Sequence, residues 1–170
     1  RPDKVAGLIG VNTPFIPRMS MDPIQAFRGA LGEDMYIVAF QDYGVAEAKL
    51  EEDIRRSLRC FYRKEGLSGT PEGPWVAFEL LNILNMDEKD WPGEVLLSDQ
   101  DLEVYAKAFE RNGFRGPVNW YRNFTRNWEK SADFKQSINL PSLMICAEND
   151  AVLPPSMADG MAKYVFDLEK

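Results

Sequence analysis

The sequence predicts an α/β protein in which a parallel β-sheet is interrupted by a helical insert of about 120 residues. Two short apolar runs lie near opposite ends of the 170-residue chain, VAGLIGV at Val5–Val11 and SLMICA at Ser142–Ala147. Runs of this length and composition are typical of strands buried on both faces of a parallel sheet. Most of the sequence between them has helical periodicity, so the insert is predicted to be helical.

Loops are predicted where proline and glycine concentrate. Asn12–Ser20 (NTPFIPRMS) follows the first predicted strand, and its two prolines cannot continue a strand or a helix. The segments SGTPEGPW at Ser68–Trp75 and DEKDWPGE at Asp87–Glu94 have the same character. These loops divide the insert into separate helices.

Two helices are predicted from apolar residues spaced three or four apart. The first spans Gly44–Gly66, with acidic residues early and basic residues late, an order that suits the helix dipole. The second spans Ser98–Gly113 and opens with Ser98 and Asp101, a near capping box with Asp where Glu is usual. Each ends at a glycine, the residue that most often terminates helices.

A third helix is predicted over Gly113–Glu129, with Gly116 as its cap and Pro117 in its first turn. One face of this helix collects Pro117, Tyr121, Phe124 and Trp128. Its arginines, predicted to form a solvated or salt-bridged face, are Arg115, Arg122 and Arg126. An aromatic stripe normally packs into a core, but a buried tyrosine must find a partner for its hydroxyl. Packing and chemistry therefore both remain open for Tyr121.

Tyr36 lies in a second apolar context, within GEDMYIVAFQDYG, and Tyr43 precedes Gly44 in a predicted turn. Core packing accounts for Tyr36 as readily as a functional role does. Nothing in the spacing of the residues links Tyr36 to Tyr121.

The second predicted strand is followed by END at Glu148–Asp150 and then by a predicted helix that begins at Pro154 or Pro155 and runs toward Lys170. Functional groups of α/β proteins gather at the carboxyl ends of parallel strands. A carboxylate at Asp150 could orient a histidine there, or it could simply cap the next helix or turn. Glu148 is the competing candidate for the same role.

Composition excludes several classes of function. The net charge of −7 argues against nucleic acid and anionic membrane surfaces as partners. No apolar run approaches the roughly 18 residues of a membrane span, and no signal peptide is visible. The chain contains no histidine, and its two cysteines, Cys60 and Cys146, lack metal-binding spacing. We therefore expect no metal and no cofactor, free thiols in a reducing compartment, and a cytoplasmic location.

Four segments resemble, in order, the soluble epoxide hydrolases of the α/β-hydrolase fold. They are VNTPFIP, MYIVAFQDYGVAEAKLE, GFRGPVNWYRN with the following RNWE, and LPSLMICAENDAVLPP. The resemblance runs nearly the whole length, although residues 66–93 carry little of it. It implies that residues 1–17 and 138–170 are pieces of the hydrolase core and that residues 18–137 form the helical lid.

The resemblance also implies roles for individual residues. Tyr36 and Tyr121 match two lid tyrosines, and Asp150 matches the acid that orients the catalytic histidine. The positions that match residues near the substrate pocket are Thr13, Pro14, Ile16, Phe40 and Val152. Tyr43 stands where the family has a proline, since FQEPG appears here as FQDYG.

In the family that the chain resembles, a small apolar epoxide and water give a vicinal diol through an aspartyl-ester intermediate. The nucleophilic aspartate would lie shortly before Val5 and the histidine soon after Lys170. Since the chain has neither and begins without methionine, we expect it to be a fragment that is inactive by itself. No G-x-S-x-G or G-x-D-x-G nucleophile motif occurs in it.

Two other functions remain open at this point. A dehalogenase of the same fold would stabilise a halide with groups such as Trp or Asn and would not need paired phenols. A non-catalytic lid module would bind apolar ligands or a partner protein. The sequence also leaves open whether the protein forms a homodimer.

Overall fold

The computed structural model describes residues 2–64, 79–150 and 152–170. The chain divides into two compact units. The sheet unit comprises Arg1–Ser20 and Lys130–Lys170, and the helical unit comprises Met21–Glu129. Among the helices of the described residues, none has both the length and the apolar character that crossing a membrane requires.

The described secondary structure is mainly helical. The strands are β1 (Leu8–Val11), β2 (Ser142–Ile145) and β3 (Leu168–Glu169). The α-helices are α1 (Pro23–Leu31), α2 (Tyr36–Ala39), α3 (Val45–Glu51), α4 (Ile54–Phe61), α5 (Leu80–Ile83), α6 (Asp99–Asn112), α7 (Arg115–Arg122) and α8 (Phe124–Lys130). Short 3₁₀-helices span Pro2–Lys4, Glu88–Asp90 and Pro155–Lys163.

The three strands form one parallel sheet in the order β1-β2-β3. Leu8 pairs with Ser142, and Ser142 pairs in turn with Leu168. The predicted parallel sheet and its two apolar strands are therefore confirmed. The chain leaves β1 and returns in β2 after more than a hundred residues, as the predicted insert requires.

The prediction that both strands are buried on both faces is wrong for the described residues. Met144 is buried against Ala158 and Met161 of the last 3₁₀-helix. Side chains alternate across a sheet, so the next residues along each strand point to the opposite face. Ile9 on that face is 68% exposed, and Ile145 is also exposed.

The predicted C-terminal helix begins at Pro155 as expected, but it is not α-helical and does not run to Lys170. Pro155–Lys163 winds as a 3₁₀-helix, and the chain then extends into β3. The backbone N–H of Ser142 donates to the Asp167 carbonyl at 2.8 Å, so strand pairing determines the conformation of the last residues. Tertiary hydrogen bonds have overridden the local helical pattern.

The first predicted helix of the insert consists of two shorter ones. Helix α3 ends at Glu51, and α4 begins after Asp53, whose side chain accepts a hydrogen bond from the Arg56 N–H at 2.9 Å. Such a cap starts a new helix with its own axis. The predicted helix end at Gly66 and the predicted loop at residues 68–75 lie outside the described residues.

Helix α6 confirms the second predicted helix. Ser98 accepts a hydrogen bond from the Asp101 N–H at 3.2 Å, and Gly113 follows the last turn with a left-handed φ of 67°. The third predicted helix divides at Asn123 into α7 and α8. The residue preceding α7 is Phe114, so the prediction that Gly116 caps this helix is wrong.

The helical unit packs around buried side chains from most of its helices. The main cluster contains Phe40, Ala46, Leu50, Cys60, Ile83, Leu84, Trp91, Phe114 and Val118. Both cysteines are free thiols; Cys60 is fully buried, whereas Cys146 in the sheet unit is only partly buried. This core is the scaffold on which the aromatic residues of the candidate site rest.

Candidate functional site

Three aromatic side chains from two distant segments of the sequence meet in the helical unit. The rings of Tyr36 and Tyr121 lie edge to face, with centroids 5.2 Å apart and planes at 87°. Phe40 contacts both, at 5.6 Å from Tyr36 and 5.4 Å from Tyr121. We call Tyr36, Phe40 and Tyr121 the aromatic trio. Edge-to-face packing of this kind restricts where each ring can move.

Local structure explains how Tyr36 reaches this position. Met35 precedes α2, and its sulfur accepts a hydrogen bond from the Ile37 N–H at 3.2 Å. Met35, Ile37 and Val38 are buried in a cluster with Ile24 of α1. Tyr36 packs against this cluster and against the main core, so it lies between two apolar groups of residues.

Burial raises the pKa of Tyr36 well above its ordinary value, and the neighbouring phenol of Tyr121 raises this pKa further. Tyr36 is therefore protonated throughout the neutral range. A protonated phenol is a hydrogen-bond donor and, toward a developing alkoxide, a proton source.

Arg122 follows Tyr121 and connects α7 to the backbone that follows α2. Its Nε donates to the Phe40 carbonyl at 2.7 Å, and its Nη2 donates to the Asp42 carbonyl at 2.8 Å. Its guanidinium also forms a two-bond ion pair with Glu47, at 2.5 and 2.8 Å. The arginine side chain is only 5% exposed and that of Glu47 only 12%.

Gln41 provides a second connection between the same two segments. Its side-chain amide donates to the Ile37 carbonyl at 2.7 Å and to the Tyr121 carbonyl at 3.3 Å. The segments that carry Tyr36 and Tyr121 are thus joined by ring packing and also by hydrogen bonds from Arg122 and Gln41 to backbone carbonyls of both segments.

Asp150 lies in the sheet unit, just beyond β2, and three hydrogen bonds hold its carboxylate. The Asn12 side-chain amide donates to Oδ2 at 2.8 Å. The N–H groups of Val152 and Leu153 donate to Oδ1 at 3.0 and 2.8 Å. A carboxylate offers about four lone-pair directions, so one direction on Oδ2 remains for another donor.

The other residues singled out in the sequence fall in both units. Phe40 is buried in the helical unit as a member of the aromatic trio. In the sheet unit, Pro14 is buried while Thr13 and Ile16 are exposed. Val152 is 36% exposed and takes part through its backbone N–H.

Sequence reasoning missed the residues that hold these groups in place. The sequence predicts a solvated or salt-bridged face for Arg122, and its ion pair with Glu47 confirms the second alternative, but the sequence singles out neither Glu47 nor Gln41. Asn12 falls in a predicted loop. One signal was present for Glu47: Gly44, three residues earlier, is a common helix start, and its N–H donates to the Glu47 carboxylate at 3.1 Å.

An apolar cavity of about 300 Å³ lies in the helical unit, beside two members of the aromatic trio. Phe40 and Tyr121 form part of its wall, together with Leu50, Phe109 and Val118. Within the described residues, no cluster of acidic, cysteine or histidine side chains is suited to hold a metal ion.

Comparison with known proteins finds epoxide hydrolases. The chain is 35% identical over 171 residues to bifunctional epoxide hydrolase 2 of Mus musculus. This alignment covers 99% of the present chain and 30% of the mouse protein. It is also 35% identical over 170 residues to epoxide hydrolase A of Mycobacterium tuberculosis, in an alignment that covers 96% of the present chain and 52% of the mycobacterial protein. The crystal structure of epoxide hydrolase A from Mycobacterium thermoresistibile matches with a TM-score of 0.79 at 30% identity, over 99% of this chain and 54% of that one.

The chain thus spans between 30% and 54% of the length of these three relatives. No family model matches it.

Proposed function

Since the chain is homologous over nearly its whole length to epoxide hydrolases and shares their α/β-hydrolase fold, we propose that it supplies the lid and the triad acid of an epoxide hydrolase. The reaction would add water to an epoxide and give a vicinal diol. The observation that carries this proposal is the packing of Tyr36 against Tyr121, with ring centroids 5.2 Å apart.

The paired phenols suit the electrophilic half of epoxide opening. When a nucleophile attacks a ring carbon, the carbon–oxygen bond breaks and its electron pair moves to the oxygen as an alkoxide. Two preplaced donors stabilise this charge, and one tyrosine gives the oxygen its proton. The raised pKa of Tyr36 keeps this donor protonated at the pH at which the enzyme would work.

Asp150 suits the hydrolytic half. Attack by an aspartate nucleophile would join the opened substrate to the enzyme as an ester. Water must then cleave this ester with help from a histidine. The carboxylate of Asp150 is fixed by three donors and keeps one lone-pair direction free on Oδ2. An imidazole N–H could donate there, and the carboxylate would then orient the ring for general-base catalysis.

The chain contains no histidine. We therefore propose that the nucleophile and the base come from residues outside these 170 and that the 170-residue chain alone has no turnover. The helical unit would be the lid and the sheet unit part of the hydrolase core. The substrate would be an apolar epoxide, with water as the second reactant and no cofactor.

The test is the replacement of each tyrosine by phenylalanine in the full-length protein that contains this chain. We expect Tyr36→Phe and Tyr121→Phe each to lower kcat for an aryl epoxide by about 10²–10³-fold, because each removes a donor to the developing alkoxide. The matched control is Tyr105→Phe on α6, a partly exposed tyrosine whose ring contacts Tyr62. The control should leave kcat unchanged.

Other outcomes separate the alternative functions. A full-length protein that releases halide from a haloalkane, with rates insensitive to both tyrosine substitutions, would replace this proposal with a dehalogenase. Diol formation by the verified 170-residue chain alone would contradict the assignment of nucleophile and base to other residues.

A further inference from the structure

We propose that Arg122 is a positioning residue, which fixes the two phenols of the Tyr36–Tyr121 pair relative to each other. This inference rests on the proposed function for its catalytic consequence. The geometry that supports it lies wholly within the helical unit.

The two tyrosines belong to different segments, and the guanidinium of Arg122 bridges them. Arg122 is covalently next to Tyr121 at the end of α7. Through the Phe40 carbonyl it binds the residue that caps α2, four positions after Tyr36. Tyr36 is the first residue of α2, and Phe40 caps the same short helix. A shift of the Arg122 side chain would therefore move Tyr121 relative to Tyr36.

Glu47 keeps the guanidinium in one orientation. Arginine presents its N–H groups in a rigid planar fork that matches a carboxylate, and both Glu47 oxygens are engaged at 2.5 and 2.8 Å. Glu47 is itself anchored, because the Gly44 N–H donates to it at 3.1 Å. The pair is nearly inaccessible to solvent, so water competes little for these hydrogen bonds.

Further contacts surround the same guanidinium. Its Nη1 donates to the Asn119 side chain at 3.1 Å, and its Nη2 donates to the Asp42 carbonyl at 2.8 Å. The Tyr43 ring covers the guanidinium, with the arginine Cζ 4.4 Å from the ring centroid. Tyr43 is the residue that replaces the proline of the family pattern, so this departure adds a contact to the positioning residue.

A comparable arginine elsewhere in the helical unit provides the matched control. Arg55 also forms a two-bond ion pair, with Glu103 at 2.6 and 2.9 Å, and binds Glu110 at 2.7 Å. It is far more exposed than Arg122, and within the described residues its hydrogen bonds go to Glu103 and Glu110 and not to the aromatic trio. Replacing it changes the same chemistry away from the tyrosines.

The experiment compares Arg122→Lys with Arg55→Lys in the full-length protein. Lysine keeps the positive charge but lacks the Nε–H that binds the Phe40 carbonyl and the planar fork that matches both Glu47 oxygens. We expect Arg122→Lys to lower kcat by about 10- to 100-fold through misplacement of the phenols, with KM changed less than threefold. Arg55→Lys should leave both constants unchanged.

The split between kcat and KM distinguishes positioning from support of the fold. If Arg122 only stabilised the fold, the variant would melt at a lower temperature while kcat per folded molecule stayed the same, and that result would overturn the inference. Arg122→Gln serves as the second variant if the lysine variant does not fold. The folded fraction of each is measured by near-ultraviolet circular dichroism before the kinetics.

A second readout does not depend on turnover. In protein labelled with ¹³C-tyrosine, ring-to-ring nuclear Overhauser effects between Tyr36 and Tyr121 report their distance directly. These effects should weaken in Arg122→Lys and persist in Arg55→Lys; persistence in both would refute the inference. If the effects weaken in Arg122→Lys but the wild-type protein opens no epoxide, the positioning role of Arg122 is upheld and the proposed function is rejected.

Discussion

The two units hold their candidate residues by different physical means. In the helical unit, Tyr36 and Tyr121 are set by ring packing, by a buried core and by a nearly inaccessible ion pair. In the sheet unit, Asp150 is set by three hydrogen bonds to its carboxylate, beside strands whose side chains are largely exposed on one face. The first arrangement depends on the interior of its unit, and the second depends mainly on a turn.

The difference suggests how each site should respond to change. Packing distributes its support over many side chains, so damage anywhere in the core can reach the tyrosines. Hydrogen bonds to a single carboxylate are local, so the position of Asp150 should depend mainly on Asn12 and on the backbone that follows. Sensitivity to core substitutions should therefore separate the units.

The largest expected effect is the contrast between Leu50→Ala and Ile9→Ala. Leu50 is 2% exposed in the main core, and its truncation should lower the free energy of unfolding of the helical unit by about 2–5 kcal/mol. Ile9 on β1 is 68% exposed, and its truncation should change stability by no more than about 0.5 kcal/mol. Urea denaturation of both variants of the 170-residue chain measures the contrast.

Equal losses in the two variants would contradict the contrast. They would show that the exposed face of β1 is covered in solution as thoroughly as the helical core is. A Leu50→Met variant provides the control, because a swap that conserves volume should restore most of the lost stability.

The fold could be predicted where the signal is local and continuous. The apolar runs predicted β1 and β2, and Ser98 with Gly113 predicted both ends of α6. The break between α3 and α4 was missed because the apolar spacing continues through Asp53, whose capping hydrogen bond is visible only in the structure. Strand β3 was missed because its conformation depends on pairing with β2, and the sequence of β3 itself carries no signal of that pairing.

The candidate site could be predicted only through family resemblance. Spacing placed Tyr121 on an aromatic face but could not connect it to Tyr36, which lies 85 positions earlier, because helix periodicity carries no information across a chain reversal. The pairing of Arg122 with Glu47 was missed for the same reason, because 75 residues separate the two and nothing local marks them as a buried pair. Long-range pairing of this kind follows from the packing of whole helices.

The next effect in size concerns acid. Hydrogen bonds from Arg122 lower the pKa of Glu47 from 4.5 to about 2. A carboxyl whose folded pKa is depressed contributes stability above its unfolded pKa, and this contribution is lost as the pH falls from about 4.5 toward 2. At pH 7, Glu47→Gln should therefore lower the free energy of unfolding by about 1.5–3 kcal/mol.

This acid effect is checked by urea denaturation at several pH values. The difference in the free energy of unfolding between wild type and Glu47→Gln should shrink as the pH approaches 2, because the wild-type carboxyl then becomes neutral, as the glutamine side chain already is. Glu103→Gln, which breaks the exposed pair with Arg55, should have a smaller effect at pH 7. A difference that stays constant from pH 7 to pH 2 would show that the charge of Glu47 is not what stabilises the helical unit.

The smallest expected effect is in the sheet unit, at Asn12. This residue has a left-handed φ of 60°, and its side chain donates to Asp150. Asn12→Gly removes the hydrogen bond but tolerates the backbone, so it should lower the free energy of unfolding by about 1 kcal/mol. Asn12→Ala should lower it by about 1 kcal/mol more, because alanine lacks both the side-chain hydrogen bond that lets asparagine adopt the left-handed conformation and the freedom of glycine. If urea denaturation finds the two variants equally stable, the backbone at Asn12 is not strained. Asn12 would then support Asp150 through its hydrogen bond alone, with no contribution from a strained backbone, which would make the local support of the sheet unit simpler still than that of the helical unit.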